Sequence, residues 1–406
     1  MKMKNVLAIN GGSSSIKFAL YEVNKVLKKI FDGSIERVGL PNTTLRVKGV
    51  EQSDNFSRNI QAGDQSQAVE ILMVWIEKRL GANALSAVGH RIVQGGPKDS
   101  ETQLVTKEIL DNLYLYEALD PEHLPQELMI IEAFIYRFPD TPQVLCFDTA
   151  FHHDMPRVAQ ILAIPRRYEA KGVRRLGFHG ISYSFLMQEL RRIAGKDSLP
   201  SRVILAHLGN GASLAAVKDG KSVDTSMGFT PSAGLVMGTR CGDLDPGLNY
   251  YLARTEGMDA IQFQHMVDYE SGLLGISETS SDMQDLLLHE ANDIRAKEAI
   301  DVFCYQTKKW IGSYSAALGG LDALVFAGGI GENVPVIRSR ICKGLEFLGV
   351  NIDENLNKAN EGLISKKTGR VTVRVIRTDE EFMIAQQATE MLKLDAVRKD
   401  DDYETK

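Results

Sequence analysis

The stretch 6–18 reads VLAINGGSSSIKF and sets a glycine- and serine-rich turn between two apolar segments. Its apolar ends predict two strands, over 5–9 and 16–23, that the turn connects. The stretch 205–217 reads LAHLGNGASLAAV and repeats the arrangement around a second Asn-Gly pair. We interpret the two stretches as copies of one duplicated unit. Asn-Gly is also the commonest hairpin turn, so the turns alone leave that simpler explanation open.

The remainder of the chain alternates between predicted strands and predicted helices. The further strands are expected over 87–93, 143–147, 202–207, 213–218, 322–326 and 371–376. The helices are expected over 66–80, 108–119, 125–137 and 297–318, and Thr378 is expected to begin a last helix with Glu380 and Glu381 in its first turn. No shorter repeat is visible, which argues against a solenoid or a propeller.

Composition restricts the class of protein. The 406 residues suggest two or three domains, and 44% hydrophobic and 25% charged residues are typical of globular proteins. A net charge of −6 gives no electrostatic case for a nucleic-acid or membrane-surface partner. The four cysteines lie far apart in the sequence, and no apolar run is long enough to span a membrane. We therefore expect a soluble, cytoplasmic protein.

Four glycine-rich turns could bring backbone N–H groups close to an anion. They are Gly11–Ser15 with Lys17 nearby, Gly209–Gly211, Gly238–Gly242 and Gly328–Asn333. None has the spacing of a P-loop or a convincing dinucleotide fingerprint. A single such turn is more often structural, whereas four, each near the end of a predicted strand, favour a phosphate-rich ligand.

Basic side chains lie next to several of these turns. Arg91, His179, His207 and Arg240 are all flanked by glycines. Taken singly, each is more simply explained as a solvated or structural residue. Together they suggest recognition of a carboxylate or a phosphate, which a guanidinium can bind through two hydrogen bonds. His152 and His153 could suggest a metal pair, but adjacent side chains diverge, so we interpret them as incidental.

Nine stretches in this order resemble the acetate kinase family, within the group of sugar kinases, actin and Hsp70-type ATPases. The stretches are NGGSSSIK (10–17), GHRIVQGG (89–96), FDTAFH (147–152), GFHGIS (177–182), HLGNGAS (207–213), DTSMGFTP (224–231), MGTRCGDLDPG (237–247), GGIGEN (328–333) and DEEFMIA (379–385). The similarity covers about residues 4–392. It implies an α/β fold of duplicated actin-like (ribonuclease H-like) domains, with mixed central sheets flanked by helices and the active site in the cleft between domains.

The resemblance also implies domain boundaries and an assembly. The N-terminal actin-like domain would contain residues 1–150 and a returning C-terminal helix from 382 to 406. Residues 151–381 would form the C-terminal domain for nucleotide binding and dimerisation. The chain is accordingly expected to form a homodimer.

Roles carried over by resemblance fall into four groups. The catalytic residues would be Asp148, His179 and Arg240. The substrate acid would contact Arg91, Val93, His123, Phe178 and Pro231. ATP would contact Lys17, His207, Leu208, Gly209, Asn210, Gly211, Asp282, Met283, Gln284, Gly329, Ile330, Gly331, Glu332 and Asn333. A Mg²⁺ or Mn²⁺ ion would be held by Asn10 and Glu381.

The implied reaction is reversible ATP-dependent phosphorylation of acetate to acetyl phosphate, by direct in-line transfer to the carboxylate. A small carboxylic acid has a pKa of about 4 and is already an anion at neutral pH, so it needs no general base. It needs its repulsion from ATP neutralised, because phosphoryl transfer is catalysed mainly by positioning and electrostatics. We therefore expect Asp148 to orient an arginine or bound water rather than to act as a base.

Several positions depart from the usual pattern of the family. Gln284 stands where a basic residue is usual, Glu122 where an apolar residue is usual, and Tyr183 where a histidine is usual. Ser232-Ala233 replaces a usual Leu-Glu pair. These changes leave open the nucleotide contact at Gln284 and the acid that fits beside Glu122.

Three alternatives to acetate phosphorylation follow from the sequence. The first is a kinase for propionate, butyrate or another short acid. The second, of another class, is an actin-like ATP-binding regulatory module without small-molecule kinase activity; Arg91, His179 and Arg240 argue against it. The third is a sugar kinase of the same fold, in which Asp148 would activate a hydroxyl.

Overall fold

The strands of the chain belong to two sheets in a computed structural model. The structure describes residues 4–12, 15–81, 84–96, 101–117, 123–195 and 198–394. The strands are β1 (Lys4–Gly11), β2 (Ser15–Val23), β3 (Leu27–Glu36), β4 (Thr44–Gly49), β5 (Phe56–Asn59), β6 (Leu85–Ile92), β7 (Gln103–Leu104), β8 (Gln143–Phe147), β9 (Arg202–Leu208), β10 (Ala212–Lys218), β11 (Lys221–Thr225), β12 (Ala323–Ala327) and β13 (Thr372–Val375).

Helices connect and flank these strands. They are α1 (Gln65–Leu80), α2 (Lys107–Leu115), α3 (Leu124–Arg137), α4 (Arg157–Gln160), α5 (Arg166–Glu169), α6 (Gly180–Ala194), α7 (Gly247–Thr255), α8 (Ala260–His265), α9 (Gly272–Ser277), α10 (Met283–His289), α11 (Ile294–Leu318), α12 (Gly328–Asn333), α13 (Pro335–Cys342), α14 (Glu354–Lys358) and α15 (Glu380–Met391). A π-helical turn, Met266–Glu270, follows α8. Within the described ranges, no helix is both long and apolar enough to cross a membrane.

The chain divides into two compact units. Unit 1 holds the described residues up to Ala150 together with those from Asp379 onward, and unit 2 holds Phe151–Thr378. The second boundary therefore lies at Asp379 rather than at the expected 382. The reason is that α15 begins at Glu380 and packs along its length against β1 and β6 of unit 1.

The order of five strands in unit 2 repeats that of five central strands, β3-β2-β1-β6-β8, in unit 1. Unit 1 has the sheet β5-β4-β3-β2-β1-β6-β8-β7, and unit 2 has β11-β10-β9-β12-β13. In unit 1, β1 pairs antiparallel with β2 and parallel with β6, while β2–β3 is antiparallel and β6–β8 is parallel. In unit 2, β9, β10, β11, β12 and β13 repeat these pairings in the same order. The duplication predicted from the two Asn-Gly turns is confirmed by this topology.

Each sheet is covered by helices that bury its apolar faces. In unit 1, α1 and α3 pack on one side of the sheet, where Phe18, Phe31 and Trp75 form a cluster of ring contacts. In unit 2, apolar residues of α6 such as Leu186 and Leu190 pack against β9, β10 and β12. Helix α11 contacts β9 and β10. Burial of these apolar surfaces is the main stabilising contribution in each unit.

The structure corrects two of the expected helix ends. Helix α2 ends at Leu115 rather than at 119, and residues 118–122 lie outside the described part. The last helix is capped by Asp379, whose side chain accepts a hydrogen bond from the backbone N–H of Phe382, so Thr378 does not begin it. Helix α6 was not predicted from the sequence. Its apolar residues begin directly after the glycine-containing stretch at 177–180.

Gly89 of β6 lies where α15 approaches the sheet. A Cβ at this position would lie 2.7 Å from Ile384 Cγ2 and 3.2 Å from the Ile384 carbonyl oxygen. We predict that Gly89→Ala destabilises the protein by about 1–3 kcal/mol through overpacking. Gly312→Ala is the matched control, because a Cβ there has open space inside helix α11 and should stabilise by about 0.5–1 kcal/mol.

Urea unfolding midpoints measure both changes. An unchanged midpoint for Gly89→Ala would show that α15 does not pack closely against β6.

Candidate active site

Polar residues gather where the parallel strands of unit 1 end. Strands β1, β6 and β8 are parallel, so their carboxyl ends lie at one edge of the sheet. Asn10 and Arg91 lie near the ends of β1 and β6, and Asp148 directly follows β8. This edge is where open α/β sheets commonly bind ligands.

Arg91 is largely buried at this edge, with 16% of its side chain exposed, and carboxylates lie close to it. Its Nη2 and Nε atoms donate to Asp148 Oδ2 at 2.6 and 3.1 Å, and its Nη1 lies 3.8 Å from Glu127 Oε1. Burial opposes the charge, but Asp148, Glu127 and Glu380 outweigh it and raise the pKa of Arg91 above its usual value. Arg91 is therefore a fixed cation.

Glu127, in the first turn of α3, was missed by the sequence analysis. Its two carboxylate oxygens accept hydrogen bonds from the backbone N–H of Val93 at 3.0 and 3.2 Å. The buried carboxylate thus holds the segment after β6, including the expected substrate contact Val93. His123, also an expected contact, directly precedes α3, whereas Glu122 lies outside the described residues.

Asn10 contacts the start of α15. Its Nδ2 atom donates to Glu380 Oε2 at 2.9 Å and to Glu381 Oε1 at 3.2 Å. Burial, and then the nearby charge of Glu380, raise the pKa of Glu381 above its ordinary value, while Lys17 acts in the opposite direction. Lys17 pairs with Asn10 across β1 and β2. The expected metal-binding residues Asn10 and Glu381 are thus in contact. The Glu380 carboxylate also contacts Asn10.

Three of the four glycine turns meet in unit 2. The backbone N–H of Gly238 donates to the Asn210 carbonyl at 2.9 Å, and a Cβ on Gly238 would collide with Asn210 Oδ1. Gly328 has φ of 77°, and a Cβ there would lie 2.7 Å from the Leu208 carbonyl oxygen. Only glycine permits both approaches. The turns predicted to contact ATP are therefore packed against one another.

His179 and Arg240 converge on the turn between β9 and β10. A Cβ built on Gly211 would lie 3.4 Å from His179 Nε2 and 3.7 Å from Arg240 Nη1. His179 has φ of 59°, an unusual backbone conformation for a residue other than glycine. Its ring stacks on His207 with the centroids 4.3 Å apart. Two predicted catalytic residues of unit 2 therefore face one point.

The loop that carries Arg240 is fixed by backbone contacts. The Thr239 carbonyl accepts from the backbone N–H of Ser271, and a Cβ on Gly272 would collide with the Met237 carbonyl. Arg240 Nη1 lies 3.4 Å from the carbonyl oxygen of the expected substrate contact Pro231. Ser232, one of the departures noted above, donates to Asp268 of the π-helical turn. These contacts leave the guanidinium on a rigid support.

The remaining nucleotide residues expected from the sequence lie on α10 and α12. Asp282 caps α10, Met283 is buried and Gln284 is exposed. Glu332 accepts from the backbone N–H groups of Gly328 and Thr378, and Asn333 donates to the Gly329 carbonyl. The last two side chains thus brace the turn at Gly328–Asn333.

Arg338 also supports the turn at Gly328–Asn333. No motif in the sequence pointed to this residue. It is completely buried and donates to the carbonyl oxygens of Gly331 and Glu332 at 2.8 and 3.1 Å. Its other bonds go to Asn357 and Asn360, and burial lowers its pKa to about 10. A hidden arginine with uncharged partners has no motif by which a single sequence could reveal it.

His152 is not incidental, contrary to our interpretation from the sequence. It is buried, and its Nε2 and Nδ1 atoms lie 3.1 Å from the Phe178 carbonyl and 2.8 Å from Ser222 Oγ. Burial lowers the pKa of His152 to about 4, so the ring is neutral. His153 is exposed, and the two side chains diverge as expected. His152 holds the backbone of Phe178, directly before His179.

Comparison with known proteins points to one family. The model of the acetokinase family matches residues 5–386. An acetate kinase from Rhodopseudomonas palustris is 42% identical over 387 residues, covering 94% of this chain and 96% of its own. One from Phocaeicola vulgatus is 41% identical and covers 95% and 99%.

Solved structures agree as well. The crystal structure of Porphyromonas gingivalis acetate kinase matches with a TM-score of 0.85 and 38% identity, over 96% of this chain and 100% of its own. A propionate kinase from Francisella tularensis gives 0.88 and 36% over the same shares. The chain belongs to the acetokinase family.

Proposed function

We propose that this protein catalyses the reversible, ATP-dependent phosphorylation of acetate to acetyl phosphate. The observation that carries the proposal is the convergence of His179 Nε2 and Arg240 Nη1 on Gly211, in the turn between β9 and β10. Two donors aimed at one point over a glycine suit a phosphoryl group in transfer, whose oxygens carry the negative charge.

Charge compensation explains why this chemistry suits the residues. The attacking carboxylate and the γ-phosphate are both anions, so they repel each other until cations lie between them. In this proposal Arg91 binds the acid carboxylate, and His179 and Arg240 stabilise the transferring phosphoryl group. Val93, Phe178 and Pro231 are each proposed to contact the acid.

Asp148 acts in this mechanism by holding Arg91. Its Oδ2 atom accepts two hydrogen bonds from the guanidinium, which fixes the plane in which Arg91 meets a substrate. The acid substrate is already ionised at neutral pH, so no proton has to be removed. This assignment separates the proposal from a sugar kinase, in which the carboxylate would have to activate a hydroxyl.

Mg²⁺ fits the residues at the end of β1. Glu380 and Glu381 lie beside one amide, and the pKa of Glu381 is raised by partial burial and then by the charge of Glu380, both of which a bound cation would offset. Asn10 and Glu381 would hold the ion, which would neutralise phosphate charge when bound. Mg²⁺ usually takes only one or two protein carboxylates with phosphates and waters. That agrees with the lack, among described residues, of any cluster of three or more metal-binding His, Cys, Asp or Glu side chains.

ATP would lie over the packed turns of unit 2, with Gly209–Gly211 and Gly329–Asn333 contacting it. Lys17 is expected to contact ATP as well. Gln284, at the start of α10, offers an amide where relatives usually offer a base. We infer a neutral hydrogen bond there in place of an ion pair.

A homodimer in the cytoplasm is part of the proposal. The segment that contains α7 and α8 exposes several large apolar side chains, a pattern typical of protein–protein interfaces. They are Leu244, Tyr250, Tyr251, Ile261 and Tyr269. A second copy of the chain is the partner that we expect on this surface.

Propionate is the second candidate substrate, motivated by the similarity to the Francisella propionate kinase. A hydroxamate assay with Mg-ATP and acids of increasing chain length tests the choice. We expect the highest kcat/KM with acetate, because the curated relatives at 41–42% identity are acetate kinases. A clear preference for propionate or butyrate would replace acetate. ATP hydrolysis without any acyl phosphate would favour the regulatory module.

Arg240→Ala tests the transition-state contact. We predict a loss in kcat of about 10²–10³-fold, since such a contact in a water-excluded site is worth about 3–4 kcal/mol. Arg167→Ala, an exposed arginine of the same unit, is the control and should keep full activity. A folded Arg240→Ala protein with wild-type kcat would remove the proposed role.

Glu381→Gln tests the metal site through stability. Because the pKa of Glu381 is raised in the folded state, the folded protein binds more protons, and stability falls as pH rises from about 4.3 through the raised value. The variant lacks this loss, so without metal at pH 7 it should unfold at a higher temperature than the wild type. Added Mg²⁺ should stabilise the wild type more than the variant.

Glu390→Gln, an exposed residue of the same helix, is the control and should respond to Mg²⁺ like the wild type. Equal Mg²⁺ stabilisation of wild type and Glu381→Gln would place the ion elsewhere.

A further inference from the structure

The two stacked histidines of unit 2 each end a chain of hydroxyl groups. His179 Nδ1 lies 2.8 Å from Ser213 Oγ, and Ser213 Oγ lies 2.5 Å from the Tyr183 hydroxyl. His207 Nδ1 lies 2.9 Å from Ser182 Oγ, which lies 2.8 Å from Thr378 Oγ1. In both chains a serine stands between the ring and a second hydroxyl. The Nδ1 atom of each ring is therefore held by a serine hydroxyl.

The chain at His179 is hidden from solvent. Tyr183 and Ser213 are both fully buried, and the Tyr183 ring packs edge-on against His152 and tilted against Phe151. Tyr183 lies one helical turn after His179 at the start of α6, which brings its hydroxyl to Ser213 on β10. A buried hydroxyl pair this close is fixed in geometry.

The other nitrogen of each ring faces the glycine turn. His179 Nε2 lies 3.4 Å from a Cβ position on Gly211, and His207 Nε2 lies 4.0 Å from one on Gly209. Under the proposed function this turn carries phosphate groups. A ring nitrogen with a proton would donate to an anion there, whereas one with a lone pair would repel it.

The proton of a neutral imidazole sits on one nitrogen only, and the hydrogen bond at the other nitrogen selects which one. A phenol is a stronger acid than an aliphatic alcohol, so the Tyr183 hydroxyl is the better donor of the pair with Ser213. Ser213 Oγ has two acceptor lone pairs but a single proton. Its other described partner is His179 Nδ1, so once it accepts from Tyr183, donation to Nδ1 is the arrangement that uses that proton.

We infer that Tyr183 is a positioning residue for His179. Its hydroxyl donates to Ser213 Oγ, the Ser213 hydroxyl donates to His179 Nδ1, and His179 therefore carries its proton on Nε2, toward the turn at Gly211. Tyr183 does not touch the reacting atoms; it excludes the tautomer that would point a lone pair at the phosphoryl group. The inference deepens the proposed function and rests on it for its catalytic consequence only.

Tyr183→Phe removes the terminal donor and keeps the packed ring. Ser213 is then free to accept from His179 Nδ1–H, and part of the protein takes the opposite tautomer. We expect kcat to fall roughly 10- to 100-fold, the size seen when the outer partner of a functional histidine is lost, with KM for acid and Mg-ATP nearly unchanged.

Ser213→Ala interrupts the same chain at its centre. Because Tyr183 acts only through Ser213, the double variant should lose no more activity than Ser213→Ala alone. Tyr314→Phe is the matched control. Tyr314 is also buried in unit 2, but its hydroxyl has no hydrogen-bond partner within the described part of the chain, so its loss should leave kcat unchanged.

Histidine ¹⁵N spectra test the tautomer without any assay of activity. Loss of a signal in His179→Gln assigns His179 among the eight histidines of the chain. The wild type should show His179 protonated at Nε2 and bare at Nδ1, and Tyr183→Phe should shift both nitrogens toward the average of the two forms. If the protein had no kinase activity, these spectra would still support or refute the hydroxyl chain.

Any of three results would overturn the inference. One is a wild-type spectrum with the proton of His179 on Nδ1. Another is a folded Tyr183→Phe protein with unchanged ¹⁵N shifts of His179 and unchanged kcat. Additive losses in the double variant would likewise show that Tyr183 acts by a route other than Ser213.

Discussion

The largely buried guanidinium of Arg91 must have its charge compensated, and three carboxylates of unit 1 provide that compensation. An unpaired charge in this position would cost several kcal/mol, so carboxylates are brought to it from three elements. Asp148 comes from the end of β8, Glu127 from α3 and Glu380 from α15. The salt bridge therefore ties together parts of the chain that are far apart in sequence, and it leaves one cation with a defined orientation at the edge of the sheet.

Unit 2 holds its glycine turns in place largely with uncharged groups. The glycine turns pack so closely that carbonyl oxygens and N–H groups bind one another directly. Arg338 is completely buried, yet its hydrogen bonds go only to carbonyl and amide oxygens. Two of those bonds, to the carbonyl oxygens of Gly331 and Glu332, hold the turn at Gly328–Asn333 in place. A rigid support of this kind lowers the cost of ordering the turn when a ligand binds.

The duplicated sheet order gives the two units the same frame and different chemistry. In unit 1 the first strand ends at Asn10 beside two carboxylates, which suits a cation. In unit 2 the equivalent strand, β9, ends beside His179, His207 and Arg240, which suits an anion. The shared topology places a turn at the same point of each sheet, and the residues that meet the turn decide which charge it attracts.

Local patterns and recognisable stretches were enough to predict the duplicated α/β fold, the glycine turns and most of the residues expected to line them. It did not reveal Glu127, Glu380, Ser213 or Arg338 as parts of the site. Each of these is an ordinary residue of a helix or strand, whose partner comes from a distant part of the chain. It also did not name Arg91 as the partner of Asp148, and it treated His152 as incidental. These contacts became visible in the folded chain, since hydrogen-bond partners and burial are set by which elements pack together, and a single sequence does not encode that in any local pattern.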